Sequence, residues 1–96
     1  MATDPHDVDA TIDVVVPAHD EVRIIEATIR AVHHHLSVHR RGPWQLTIAE
    51  NASTDGTAEI ADRLTAELHQ VRTLHLPVAG RGAALRAAWT TSTADV

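Results

Sequence analysis

The sequence predicts an α/β domain in which strands and helices alternate, β–α–β–α–β–α, around a parallel sheet of strand order 3-2-1. Three observations carry this. Val14, Val15 and Val16 run without apolar–polar alternation, as in strands covered on both faces. Two later segments repeat apolar residues at helical spacing, and Gly, Pro or Asp-Gly breakers separate the segments at short intervals. Short connections and right-handed crossovers then give a three-layer α/β/α sandwich of Rossmann-like type.

Residues 1–10, MATDPHDVDA, are acidic with no apolar period and read as a flexible arm. TIDVVVP is the first strand, and Pro17 is expected to stop it. A helix is expected from Asp20, which can cap it. Glu21 favours the positive helix end, and Ile25, Ile29, Val32 and Leu36 form one stripe. Gly42 and Pro43 break that helix, and WQLTIA is the second strand. In TAEIADRLTAELHQ, residues Ile60, Leu64 and Leu68 share a helical stripe. VRTLHLPV alternates Val71, Thr73 and His75 against Arg72, Leu74 and Leu76, a third strand. AALRAAWTTST opens a third helix after Gly80 and Gly82, and Trp44 and Trp89 fall inside elements as packing residues.

Composition narrows the function. A chain of 96 residues with 44% hydrophobic and 22% charged residues fits one globular domain or part of one. The net charge is −5 and all eight basic residues are scattered Arg, a poor match to a nucleic-acid partner. The absence of Cys removes disulfides, Cys-ligated zinc and thiol catalysis, and accords with a reducing, cytoplasmic compartment. No apolar run reaches the length of a membrane span and no basic segment precedes one.

In a parallel sheet, ligands sit beyond the carboxyl ends of the strands. Here those ends are VPAHDE, AENASTDG and PVAGRG, three polar clusters on one rim. Acids, an amide, hydroxyls and an Arg together suit a sugar nucleotide. In the second cluster, Ser53, Thr54 or Thr57 is expected to cap the following helix, with Asp55-Gly56 making the turn. GRGAAL does not fit a dinucleotide fingerprint, because it follows the third strand and has Leu85 at the last Gly position. His35 and His39 share a helix face at a spacing that binds zinc when other ligands join, but a solvated flank is the plainer reading.

The same three clusters carry a family resemblance. VVVPAHDE resembles the V-P-x-Y-N-E opening of family 2 glycosyltransferases. AENASTDGT resembles their D-D-G-S-T-D-G-T loop, and GRGAALRAAW their G-K-G-x-A helix start. The order and spacing match over residues 12–96, and the third segment is most similar to the polyprenyl-phosphate sugar transferases of dolichol-phosphate mannose synthase type. The resemblance implies a GT-A fold, with residues 11–96 as an incomplete nucleotide-sugar-binding part. It also implies transfer of a sugar from a nucleoside-diphosphate donor to an acceptor such as polyprenyl phosphate. By position, Pro17 and Ala18 lie along the base, Glu21 holds the loop or nucleoside, and Glu50 and Asn51 take the place of the acidic pair. Asp55 sits in the following turn, and Arg81 reaches the base edge or diphosphate. His19, Asp20, Glu50 and Ala94 depart from the usual Tyr, Asn, Asp and Gly.

The family's next strand ends in a D-x-D that holds Mg or Mn on the donor diphosphate, and later segments supply the acceptor site and base. The sequence stops at TADV, before that strand. The resemblance therefore implies no catalytic or metal-ligating residue in these 96, an inactive chain on its own, and an intact enzyme that is cytoplasmic or peripheral to the membrane. The rivals are a non-catalytic nucleotide-binding or interaction module and a His-cluster metal-binding module. With order 3-2-1, the first strand is also expected to expose Val14–Val16 along an unpaired edge prone to self-association.

Overall fold

The computed structural model describes residues 10–77. Within them β1 (Ile12–Ala18), α1 (Ile25–His39), β2 (Trp44–Asn51), α2 (Thr57–Glu67) and β3 (Val71–Leu76) follow in order. The acidic arm, Arg81, Trp89 and the expected third helix lie outside the described residues. The three strands form one parallel sheet in the order β1-β2-β3, which is the expected 3-2-1 read from the other edge. Among the described residues β1 pairs with β2 alone, so its outer edge is open in the way the self-association expectation requires.

Strand register divides the side chains between two faces. Val14, Val16 and Ala18 align with Leu46, Ile48 and Glu50, which align in turn with Val71, Thr73 and His75. This face carries the core. Leu46, Ile48, Ile25, Ile29, Ala61 and Leu64 are fully buried, with Trp44, Val71 and Ala18 beside them and Val32, Leu36, Ile60 and Leu68 packed at the margin. Both helical stripes therefore lie on one side of the sheet, as two right-handed crossovers in the same direction demand. Two layers of the sandwich are described; the residues expected to supply the third are not.

The opposite face is tied by polar groups. Asp13 on β1 accepts hydrogen bonds from Gln45 Nε2 (2.7 Å) and Thr47 Oγ1 (2.8 Å) on β2, and Arg72 on β3 donates to Thr47 Oγ1 (2.8 Å) and lies 3.4 Å from Asp13. The Asp13 side chain is 2% exposed, and a buried carboxylate is tolerable only with such partners. Across the helices, Glu26 pairs with Arg30 one turn on and with Arg63 of α2, and Arg30 also meets Glu67. These ion pairs are solvent-exposed, so they orient α1 against α2 more than they stabilise it.

Four boundaries differ from the sequence reading. Pro17 does not end β1, which continues to Ala18; a Pro is accommodated where its missing N–H faces an open sheet edge. β2 runs on through Glu50 and Asn51, which are strand rather than loop residues. Ala10, expected at the end of the arm, is buried and its carbonyl accepts from Arg40. Most consequential, α1 begins at Ile25 and Asp20 does not cap it. Asp20 has φ 50°, a left-handed conformation, and the Glu21 carbonyl accepts from the N–H groups of Ile24 and Ile25 to make the turn that starts the helix.

The core assignment predicts a contrast. Ile29→Ala is expected to cost about 2–5 kcal/mol, whereas Val38→Ala, at a site 60% exposed, should stay within about 0.5 kcal/mol. Urea unfolding followed by far-UV circular dichroism measures both.

Candidate functional site

The register brings Ala18, Glu50 and His75 side by side where the strands end. The two loops leaving β1 and β2 there are joined by cross-ties. Asp20 N–H donates to Ser53 Oγ (3.1 Å), and Thr54 N–H donates back to Asp20 Oδ1 (2.8 Å). Glu21 N–H donates to Thr57 Oγ1 (2.9 Å), and Val22 N–H to Asp55 Oδ2 (3.1 Å). The His19 ring donates from Nδ1 to the Asn51 carbonyl (2.5 Å), and Ala52 N–H donates to the Leu76 carbonyl (2.9 Å), which adds β3 to the assembly.

These bonds revise the expected role of the hydroxyls. Ser53 and Thr57 accept from the β1–α1 loop rather than capping α2. The N-cap of α2 is Gly56, with φ 99° and no side chain to cap it, and Asp55, one residue earlier, accepts from Thr57 N–H (3.0 Å) and Thr57 Oγ1 (2.5 Å). Gly is needed at 56 for that backbone angle: a Cβ there would meet Val22 Cγ2 at an ordinary 3.6 Å, so space is not the constraint. The Thr57 hydroxyl, with the N–H groups of Val22 and Thr57, holds the Asp55 carboxyl below its ordinary range despite some desolvation.

Glu50 is 4% exposed, and both of its oxygens are engaged: Oε2 accepts from Ser53 N–H (2.6 Å) and Oε1 from His75 Nδ1 (2.8 Å). Burial pushes its pKa up, but the bonds from His75 and Ser53 outweigh burial and the net shift is down. The other ring nitrogen of His75 meets Asp62 Oδ1 of α2 at 2.7 Å. Glu50 and then Asp62 raise the His75 pKa, against a smaller effect of burial. An open cleft of about 290 Å³ lies beside the joined loops, lined by Asp20, Glu21, Val22, Arg23, Ile24 and Asp55.

Of the residues singled out from sequence, Pro17, Ala18, Glu21, Glu50, Asn51 and Asp55 come together at this rim, and Arg81 is outside the described residues. Glu50 faces inward to His75 and Ser53 instead of outward, and Ala18 and Asn51 are buried with it. Glu21 and Asp55 border the cleft. His75 and Asp62 were missed. The alternation of β3 groups His75 with Val71 and Thr73, and a polar residue in that set is the available signal. His35 and His39 have ring centroids 4.6 Å apart, but among the described residues no three His, Cys, Asp or Glu side chains converge on a common point.

The pattern of glycosyl transferase family 2 matches residues 13–96. This chain belongs to that family. A curated relative, Glycosyltransferase AglD of Haloferax volcanii, is 38% identical over 86 residues, which is 88% of this chain. The chain spans 14% of that relative's length. The family 2 assignment agrees with the parallel α/β fragment and with its polar strand ends. No helix among the described residues is long and apolar enough to cross a membrane.

Two outcomes follow. Thr57 is fully buried, so Thr57→Val, which strips the acceptor from Glu21 N–H, is expected to destabilise the chain by about 1–3 kcal/mol in urea unfolding. The Glu50–His75 pair has a pH window. Glu50's share of stability is present above its ordinary 4.5 and lost as the pH falls through its lowered folded value. His75's share is present below its ordinary 6.5 and lost as the pH rises through its raised value. The melting-temperature difference between wild type and His75→Gln should therefore be largest between those two ordinary values and shrink on either side, measured by calorimetry across pH.

Proposed function

We propose that this chain is the nucleotide-gripping part of a family 2 glycosyltransferase, and that the intact enzyme moves a sugar from a nucleoside-diphosphate donor to polyprenyl phosphate. The observation that carries the reading is the pair of loops beyond β1 and β2, cross-tied by five hydrogen bonds between residues 20–22 and 53–57. They form one preorganised rim at the position where open α/β sheets receive ligands. Family membership supports a nucleotide-sugar donor. The AglD relative, named a glycosyltransferase, supports transfer chemistry. The polyprenyl-phosphate acceptor rests on the likeness of GRGAALRAAW to that branch.

In this reading Pro17, Ala18 and Asn51 shape the floor of the nucleoside site. Glu21 and Asp55 stand at its open side, and Arg81 supplies donors to base or diphosphate oxygens. Glu50 acts from beneath, since its carboxylate is committed to Ser53 and His75.

A divalent Mg or Mn ion belongs to the proposal for the intact enzyme, but the described acids do not fit it. Glu50 has both oxygens engaged, and the oxygens of Asp55 and one of Asp20 take backbone N–H groups of the adjoining loop. Among the described residues no three His, Cys, Asp or Glu side chains are grouped to hold it.

Calorimetric titration with UDP, GDP and dTDP tests the reading. One of the three is expected to give saturable heat, and Asp55→Ala, which unties Val22 and Thr57, should weaken it by roughly tenfold. Absence of saturation by all three at millimolar ligand would remove the nucleotide assignment and leave an interaction module as the better account.

A further inference from the structure

We propose that His75 is a positioning residue for nucleotide recognition, one that sets the shape of the β2–α2 loop by holding the Glu50 carboxylate against the Ser53 N–H. The inference rests on the rim being the nucleotide site. It concerns a residue on β3 that no motif of the rim includes.

The geometry begins with a ring held at both ends. Nδ1 lies 2.8 Å from Glu50 Oε1 and Nε2 lies 2.7 Å from Asp62 Oδ1. Ionised carboxylates only accept, so with both acids ionised the two contacts call for hydrogen on both ring nitrogens, which the imidazolium supplies. Glu50 and Asp62 are the titratable groups facing it from β2 and α2, the elements packed against it among the described residues. The two acids are not equivalent. The Glu50 side chain is 5% exposed and that of Asp62 is 62% exposed. If the ring or a bond is lost, Asp62 turns to water at little cost. Glu50 has no such recourse. A buried carboxylate stripped of its cation protonates, swings out or draws in water; swinging out releases Ser53 N–H, 2.6 Å away, and protonation weakens that bond because a neutral carboxyl is the poorer acceptor. Ser53 is also the residue whose hydroxyl receives Asp20 N–H from the neighbouring loop. The chain of contacts therefore runs from His75 through Glu50 to Ser53 and across to Asp20 at the cleft.

The two ring nitrogens allow a test that separates positioning from general stability. An Asn side chain places its amide nitrogen near the Nδ1 position and can keep the bond to Glu50. A Gln side chain places its nitrogen near Nε2 and keeps the bond to Asp62. The 96-residue chain and its His75→Asn, His75→Gln and His75→Ala variants are titrated with UDP, GDP and dTDP by calorimetry, and the Ser53 amide is followed by ¹⁵N–¹H NMR. The expected pattern is a loss of roughly tenfold in affinity and a displaced Ser53 amide in His75→Gln and His75→Ala, with both restored toward wild type in His75→Asn. A role confined to stability predicts that Asn and Gln behave alike, and that result overturns the proposal, as does an unmoved Ser53 amide in His75→Gln. Should the wild-type chain bind none of UDP, GDP and dTDP, the reading of the rim fails, while the Asn–Gln contrast at the Ser53 amide still decides whether His75 positions the loop. Should His75→Ala fail to fold, the same contrast decides.

Discussion

The exchange of hydrogen bonds between the β1–α1 and β2–α2 loops is the constraint on which the site depends. A parallel sheet places both loops beyond the same strand ends, but proximity alone would leave two independent flexible segments. Here each loop supplies what the other lacks. The β1–α1 loop presents three consecutive N–H groups, at Asp20, Glu21 and Val22, which precede the first hydrogen bonds of α1 and so have no partner within that helix. The β2–α2 loop presents Ser53, Asp55 and Thr57 oxygens at matching positions. Asp55 serves both loops, taking Val22 N–H with one oxygen and the start of α2 with the other.

The same arithmetic of donors and acceptors explains why the polar residues of the β2 end are crowded together. Glu50, Ser53, Asp55 and Thr57 are all committed to backbone N–H groups, their own or the neighbouring loop's. The stretch is thus a framework first, and what it offers a ligand is a fixed backbone contour with acids at its border. On the far face of the sheet Asp13, Thr47 and Arg72 link the three strands in an analogous way, near the starts of β1 and β3.

Much of this was legible in the sequence. The stripes of Ile25, Ile29 and Leu64 are local patterns that report burial directly, and the run of Val14 to Val16 and the alternation from Val71 to Leu76 report strands, whose side chains are mostly half-buried. The family resemblance in residues 17–21 and 49–57 located the rim. What escaped was non-local. Asp20 looks like a helix cap because Asp before an apolar stripe usually is one; only the arrival of Thr54 from 34 residues away assigns its carboxylate elsewhere. Glu50 looks like a ligand-facing acid until β3 sets His75 beside it. Pro17 looks like a terminator until its position is set against the open edge of β1, where a missing N–H costs no ladder bond. In each case the local preference was sound and a tertiary hydrogen bond or strand position overrode it.

Native-state amide hydrogen exchange tests the central claim most directly. If the two loops form one cross-tied unit, the amides of Asp20, Glu21, Val22 and Thr54 exchange slowly and with a shared opening free energy, although they lie at the ends of elements near the surface. Exchange of these four amides at the rates of an unstructured peptide, while the β2 amides stay protected, would contradict it.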